Sequence, residues 1–213
     1  MVVKPPLWLA QADGRERPDI LSWARNHIEV AANKPGRAYL GLCHRLDYAA
    51  GGLMVLAKTS KAARRISQQF RDRTIKKLYY ALVAGTPPES GGLVDELIRD
   101  RAITRVALPG EKGTKASLNF KVIGQGEFNG GLATLLAIQL LTGFKHQIRC
   151  QLANLGFPII GDVKYGGRQG ATGVIGLWAY ELTLSHPISQ EPLTFTEKPG
   201  VFWPWPQLRP RGV

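Results

Sequence analysis

Helix-like and strand-like stretches succeed one another in this chain without the regular β-α-β alternation of a doubly wound parallel sheet, which argues for an α+β class. Residues 19–32 place Ile20, Leu21, Trp23, Ala24, His27, Ile28 and Ala31 at helical spacing behind Pro18-Asp19, and Asn33-Lys34-Pro35-Gly36 ends the run. Residues 39–43 predict a short strand and 52–57 a buried one. Thr59 or Ser60 then caps a helix whose Ala62, Ile66 and Phe70 form one stripe, leaving Arg64, Arg65 and Arg71 to water. Lys77 to Ala84 alternates as a strand, and Gly85-Thr86-Pro87-Pro88 stops it. Residues 91–131, rich in glycine and charge, predict short strands and loops, and 115–123 and 132–141 are the best strand candidates. A helix over about 145–155 turns Ile148, Leu152 and Leu155 inward and sets His146, Arg149 and Ala153 on the other face. Leu193 to Thr196 predicts a last strand, and the basic, Trp/Pro-rich stretch 203–213 an extended tail.

With 213 residues, 44% of them hydrophobic, the chain can fill the core of a single domain spanning 1–213. Lys and Arg number 28 against 16 Asp and Glu, a net charge of +12 that favours a polyanionic partner, nucleic acid above all. An anionic membrane fits less well, because the cations are dispersed and no long basic amphipathic helix is present. No apolar run approaches the roughly 20 residues that span a bilayer. Two cysteines, Cys43 and Cys150, cannot build a disulfide scaffold and point to a reducing compartment. The start, Met1-Val2-Val3-Lys4-Pro5-Pro6, does not read as a signal peptide, so the expected location is the cytoplasm, with a mitochondrial one also compatible. Cys43-His44 and His146 with Cys150 lack paired metal-ligand spacing, and no Walker, GxGxxG or GxSxG arrangement occurs. No metal, nucleotide or other cofactor is expected.

Asp47 is the residue with the most chemistry around it. It closes His44-Arg45-Leu46-Asp47, and a glycine turn and the apolar run Leu53-Met54-Val55-Leu56-Ala57 follow. A carboxylate beside a buried strand calls for a cationic partner, and Thr142-Gly143-Phe144-Lys145-His146-Gln147-Ile148-Arg149 offers one in Arg149. These two segments resemble the HRLD and HQ[IL]R motifs of the RluA-type pseudouridine synthases. Lys77 to Gly85 is similar to that family's KxYxALVxG strand, Gly156 to Gly166 to its GHPIxGDxxYG segment, and Leu182 to Pro187 to its LxFxHP stretch. The likeness covers most of the chain from about residue 35 onward.

The resemblance implies a mixed central β-sheet with a catalytic cleft flanked by helices, and a monomer that isomerises uridine in ribosomal or transfer RNA. It implies Asp47 as nucleophile, attacking the sugar or the uracil ring or assisting a glycal route, with Arg149 as its partner. Tyr79 would stack on the uracil, its hydroxyl approaching C5, while Tyr80 is the structural ring. Arg45 would fill the gap left by a flipped base, or else clamp a phosphate or form a local salt bridge. His44, Lys77, Lys145, His146 and Gln147 complete the expected substrate contacts. The basic residues Arg64, Arg65, Arg71, Arg73, Lys76 and Lys77 meet either water or RNA phosphates.

Several positions depart from the pattern. Ala50-Gly51-Gly52 stands where Thr-Ser-Gly is usual, Phe144 where an arginine is, and Trp178 where a histidine is. The family's early strand and KPxG segment are expected to be absent or vestigial, and no S4-like domain is expected. The altered loop and Phe144 also fit a rival reading, a catalytically inactive RNA-binding or ribosome-assembly protein on the same fold.

Overall fold

The computed structural model describes residues 1–32, 38–168, 173–200 and 203 and distributes the elements over two units. Met1–Lys76 and Ala179–Pro199 form one, and Lys77–Trp178 with Gly200–Val213 forms the other. The class is the expected one, mixed helix and sheet with mostly antiparallel pairing.

In the first unit, β1 (Val2–Lys4) pairs antiparallel with β3 (Gly51–Met54), Lys4 facing Gly52. The neighbour of β3 on its other side is β10 (Leu177–Ser185), whose Ala179–Ser185 portion lies in this unit and pairs with β11 (Pro192–Thr196). Gly52 has φ +122°, and a Cβ there would lie 2.4 Å from the Ala179 carbonyl oxygen, so this position needs glycine both for its backbone and for the close approach of β10. A small ladder joins β2 (Gly41–Leu42) to β4 (Leu56–Ala57). Helix α1 (Ile20–Ala32) starts at Asp19, whose Oδ1 accepts from the Ser22 N–H at 2.8 Å, and its Ile20 packs with Ala10, Met54 and Trp8. Helix α2 (Ser60–Arg71) is capped by the Thr59 side chain, which accepts from the Ala62 N–H. Its Ala62-Ile66-Phe70 stripe meets Val55, Ala57, Leu182 and Leu184. Gln69 fixes α2 to the end of β10 by donating to the Ser185 carbonyl at 2.8 Å and accepting from its N–H at 2.9 Å.

The second unit carries β5 (Lys76–Ala84, from Lys77 onward), β9 (Gly131–Leu140), β8 (Thr114–Phe128), β6 (Ser90–Asp100) and β7 (Ile103–Val106), in that spatial order and all antiparallel. Ala81, Leu82 and Val83 are fully buried, so the centre of β5 is covered on both faces. Helix α3 (Gln147–Asn154) packs Cys150 on Leu97 and Ala116, with Val106, Phe144 and Tyr165 around them.

Three elements differ from expectation. A three-residue strand, β1, is present at the start, where no element was placed. Gly91-Gly92 disguised β6, whose eleven residues owe their extension to pairing with β8: a Cβ at Gly91 would stand 3.0 Å from the Phe120 ring. No strand was expected over 177–185, because its first four residues are all buried and no alternation shows there. Asn33-Lys34-Pro35-Gly36 and, Trp203 apart, the tail 203–213 lie outside the described residues. Among the described residues no helix is long and apolar enough to cross a membrane.

Candidate active site

Asp47 occupies a tight turn ahead of β3, closed by the Ala50 N–H donating to the Asp47 carbonyl at 3.2 Å. The next residue is gripped from β1 and the segment after it. The Tyr48 carbonyl accepts from the Leu7 N–H at 2.7 Å and from the Lys4 ammonium at 3.3 Å. Lys4 has no exposed surface, and it also donates to the Pro5 and Trp8 carbonyls at 2.8 and 2.9 Å. Three protons thus meet three carbonyls, none of them charged. Burial pushes the Lys4 pKa down to about 7, and the charge of Asp47 pulls it the other way. This unit therefore supplies its own cation within electrostatic reach of Asp47. The sequence reading missed it; the signal was Lys4-Pro5 directly behind two valines.

Arg45 is exposed on the same loop. On that loop His44 accepts at Nε2 from the Val55 N–H at 3.0 Å, and its ring stacks on Phe70 at 4.5 Å.

Of the three residues expected to be catalytic, Asp47 belongs to the first unit and Tyr79 and Arg149 to the second. Tyr79 lies on β5 opposite Ile138 and is half-buried, whereas Tyr80 is 3% exposed and belongs to the core. Arg149, on α3, makes a two-point ion pair with Asp162. Its Nε donates to Oδ2 at 2.6 Å and its Nη2 to Oδ1 at 2.8 Å. Both side chains are buried, and the guanidinium carbon sits 5.0 Å from the Tyr165 ring centroid. Asp162 is held in a turn that Gly167 closes, where a Cβ would stand 2.1 Å from the Ile159 carbonyl oxygen. Asp162 had no assigned role beyond its place in the GDxxYG-like segment, and sequence offers no rule for pairing it with a helix residue 13 positions earlier.

Two further expectations change. Gln147 is 2% exposed and uses both ends internally. Its Oε1 accepts from the Thr142 hydroxyl and the Phe144 N–H, and its Nε2 donates to the Ser117 carbonyl and to Gln151 Oε1. It is a structural brace for the turn that starts α3. The buried Lys77 ammonium donates to the Thr142 carbonyl at 3.0 Å, so it braces the same turn. Lys145 is half-buried, and its carbonyl accepts from the Thr104 hydroxyl at 2.7 Å. His146 is the residue before α3, in a left-handed conformation (φ 54°, ψ 23°), with Nδ1 2.9 Å from the Tyr165 hydroxyl.

Residues 1–154 match the family described as RNA pseudouridylate synthase. An uncharacterized RNA pseudouridine synthase of Chloroflexus aurantiacus is 38% identical over 159 residues, 73% of this chain and 49% of that protein. The dual-specificity RNA pseudouridine synthase RluA of Salmonella typhi is 36% identical over 158 residues, 71% of this chain and 70% of its own length. In fold, the chain is similar to human RNA pseudouridylate synthase domain containing 4, with a TM-score of 0.74 at 23% identity, covering 92% of this chain and 83% of that one. The chain spans about half the length of curated relatives such as the Chloroflexus protein. It is a member of the RNA pseudouridylate synthase family, of the RluA type.

Proposed function

We propose that this chain isomerises uridine to pseudouridine in structured RNA, ribosomal or transfer, with Asp47 as the nucleophile. The observation that carries the reading is the family match over residues 1–154, a span that includes Asp47, Tyr79 and Arg149. The chemistry accounts for the residue types. The base must first leave the stack, at a cost of a few kcal/mol. The bond between N1 and the sugar carbon breaks, the base turns, and C5 bonds to the same carbon while its proton departs. Nothing is oxidised, reduced or hydrolysed, so the reaction balances without a metal or nucleotide.

Asp47 supplies the carboxylate that forms the covalent intermediate. Tyr79 supplies a flat ring on which the uracil stacks. Arg149 supplies a permanent positive charge, kept in place by Asp162. Arg45, exposed beside the nucleophile, fills the space of the extruded base.

RNA carrying tritium at uridine C5 tests the proposal. Label should pass to water with added chelator as readily as without it. Stable RNA binding with no label release from ribosomal or transfer RNA would replace this reading with the inactive binding protein. Phe144 bears on that rival: it packs with Leu97 and Cys150 and carries the Arg99 guanidinium 5.7 Å from its ring centroid, so its place in the motif serves the core.

A further inference from the structure

Tyr165 ends the short 3-10 turn Val163–Tyr165, and its side chain meets Arg149 on α3, His146 just ahead of α3, and Thr104 on β7. Its ring lies under the Arg149 guanidinium. Its hydroxyl oxygen is 2.9 Å from His146 Nδ1, the two rings standing at 89° to each other, and 2.8 Å from the Thr104 backbone nitrogen. Thr104, on β7, is 1% exposed, and its own hydroxyl donates to the Lys145 carbonyl.

The Thr104 N–H can only donate, so the phenol oxygen accepts there. The phenol hydrogen has two acceptors within reach, His146 Nδ1 at 2.9 Å and the Thr104 hydroxyl oxygen. A neutral imidazole that accepts at Nδ1 carries its proton on Nε2.

We propose that Tyr165 is a positioning residue for the isomerase: it seats the Arg149 guanidinium and fixes His146 as its Nε2–H tautomer, so that α3 presents one permanent charge and one neutral donor in set orientations. The inference rests on the functional reading above for its kinetic part only. The left-handed backbone of His146 supports it, because a residue with a Cβ holds that conformation only where its surroundings compel it. The Tyr165 hydroxyl and the turn braced by Gln147 supply that compulsion from two sides. Burial raises the Tyr165 pKa, which keeps the phenol protonated and able to donate.

The test combines spectroscopy with kinetics. In protein labelled with 15N at histidine, at mildly alkaline pH, His146 should show an unprotonated Nδ1 and a protonated Nε2, its signals assigned by their loss in His146→Gln. Tyr165→Phe keeps the ring and its packing and should abolish that tautomer preference. It should also lower kcat about tenfold, the worth of one hydrogen bond, while RNA affinity stays within about twofold. Tyr165→Leu, which removes the ring from beneath Arg149 as well, should fall further. A wild-type protein with its proton on Nδ1, or a Tyr165→Phe enzyme with full kcat, overturns the proposal. Wild-type protein that releases no label from any RNA would instead end the functional reading and the kinetic part with it. The tautomer would still be decided by the spectrum, so the two failures are distinguishable.

Discussion

A carboxylate that is 1% exposed and bound at both oxygens by one arginine makes Arg149→Ala a stability experiment as well as a kinetic one. Removing the guanidinium strands Asp162 in a dry site, and breaking a buried pair from one side costs about 3–5 kcal/mol. Asp47→Asn, by contrast, keeps the shape of a half-buried loop residue and removes only its charge. Both variants should lose label release, but only Arg149→Ala should melt clearly lower. Label release by Asp47→Asn near the wild-type rate would refute the nucleophile, and an unchanged melt in Arg149→Ala would refute the weight given to Asp162. Lys4 gives a second prediction. Its folded pKa of about 7 lies below the ordinary lysine value, so between about pH 7 and pH 10 the unfolded chain binds more protons at this site than the folded one. The buried charge therefore costs most below pH 7, and stability should rise with pH through that window. Lys4→Met should lack this rise, which the difference between the two unfolding curves across pH isolates; parallel curves would refute it.

Elements read well where their own residues carry the pattern. Helix α2 announced itself by a capping threonine and an i, i+4 stripe, and strand β5 by its motif and the proline stop behind it. They read badly where pairing or double burial sets the conformation. Thus β6 hid behind two glycines, and β10 behind a run buried on both faces. The site divides in the same way. Short motifs single out Asp47, Tyr79 and Arg149, whereas Asp162, Tyr165 and Lys4 stand out only by what they touch. Gln147 and His44 are polar motif residues whose hydrogen bonds turn inward, a pairing no motif reveals. At this scale Gly52 is the most exacting position. Gly52→Ala must hold φ near +122° and push Ala179 away, which should cost about 3 kcal/mol or more. Chemical denaturation would show it as a lower midpoint, and a wild-type midpoint would mean that β3 and β10 separate without cost.

On the scale of the whole molecule the dominant quantity is the charge of +12. Coulombic attraction to a phosphate backbone works largely by releasing counterions, so RNA affinity should fall linearly in log K against log salt, by about 0.7 per phosphate neutralised on a single strand. The structure narrows which cations can contribute. Of the basic group around α2, Arg64, Arg71, Arg73 and Lys76 are exposed, while Arg65 donates to the Pro187 carbonyl at 2.6 Å and Lys77 is buried on Thr142. Arg71 is also engaged with Gln68 along the helix, which leaves Arg64 and Arg73 as the sharper probes. Arg64→Glu with Arg73→Glu should weaken RNA binding at low salt and make the salt slope shallower by about 1.4 if each contacts one phosphate. Because no ion pair among the described residues involves either, kcat at saturating RNA should hold. A slope unchanged by the double substitution would assign α2 to plain solvation and move the RNA footprint to other cations. A wild-type affinity indifferent to salt would go further and remove phosphate neutralisation as the purpose of the charge.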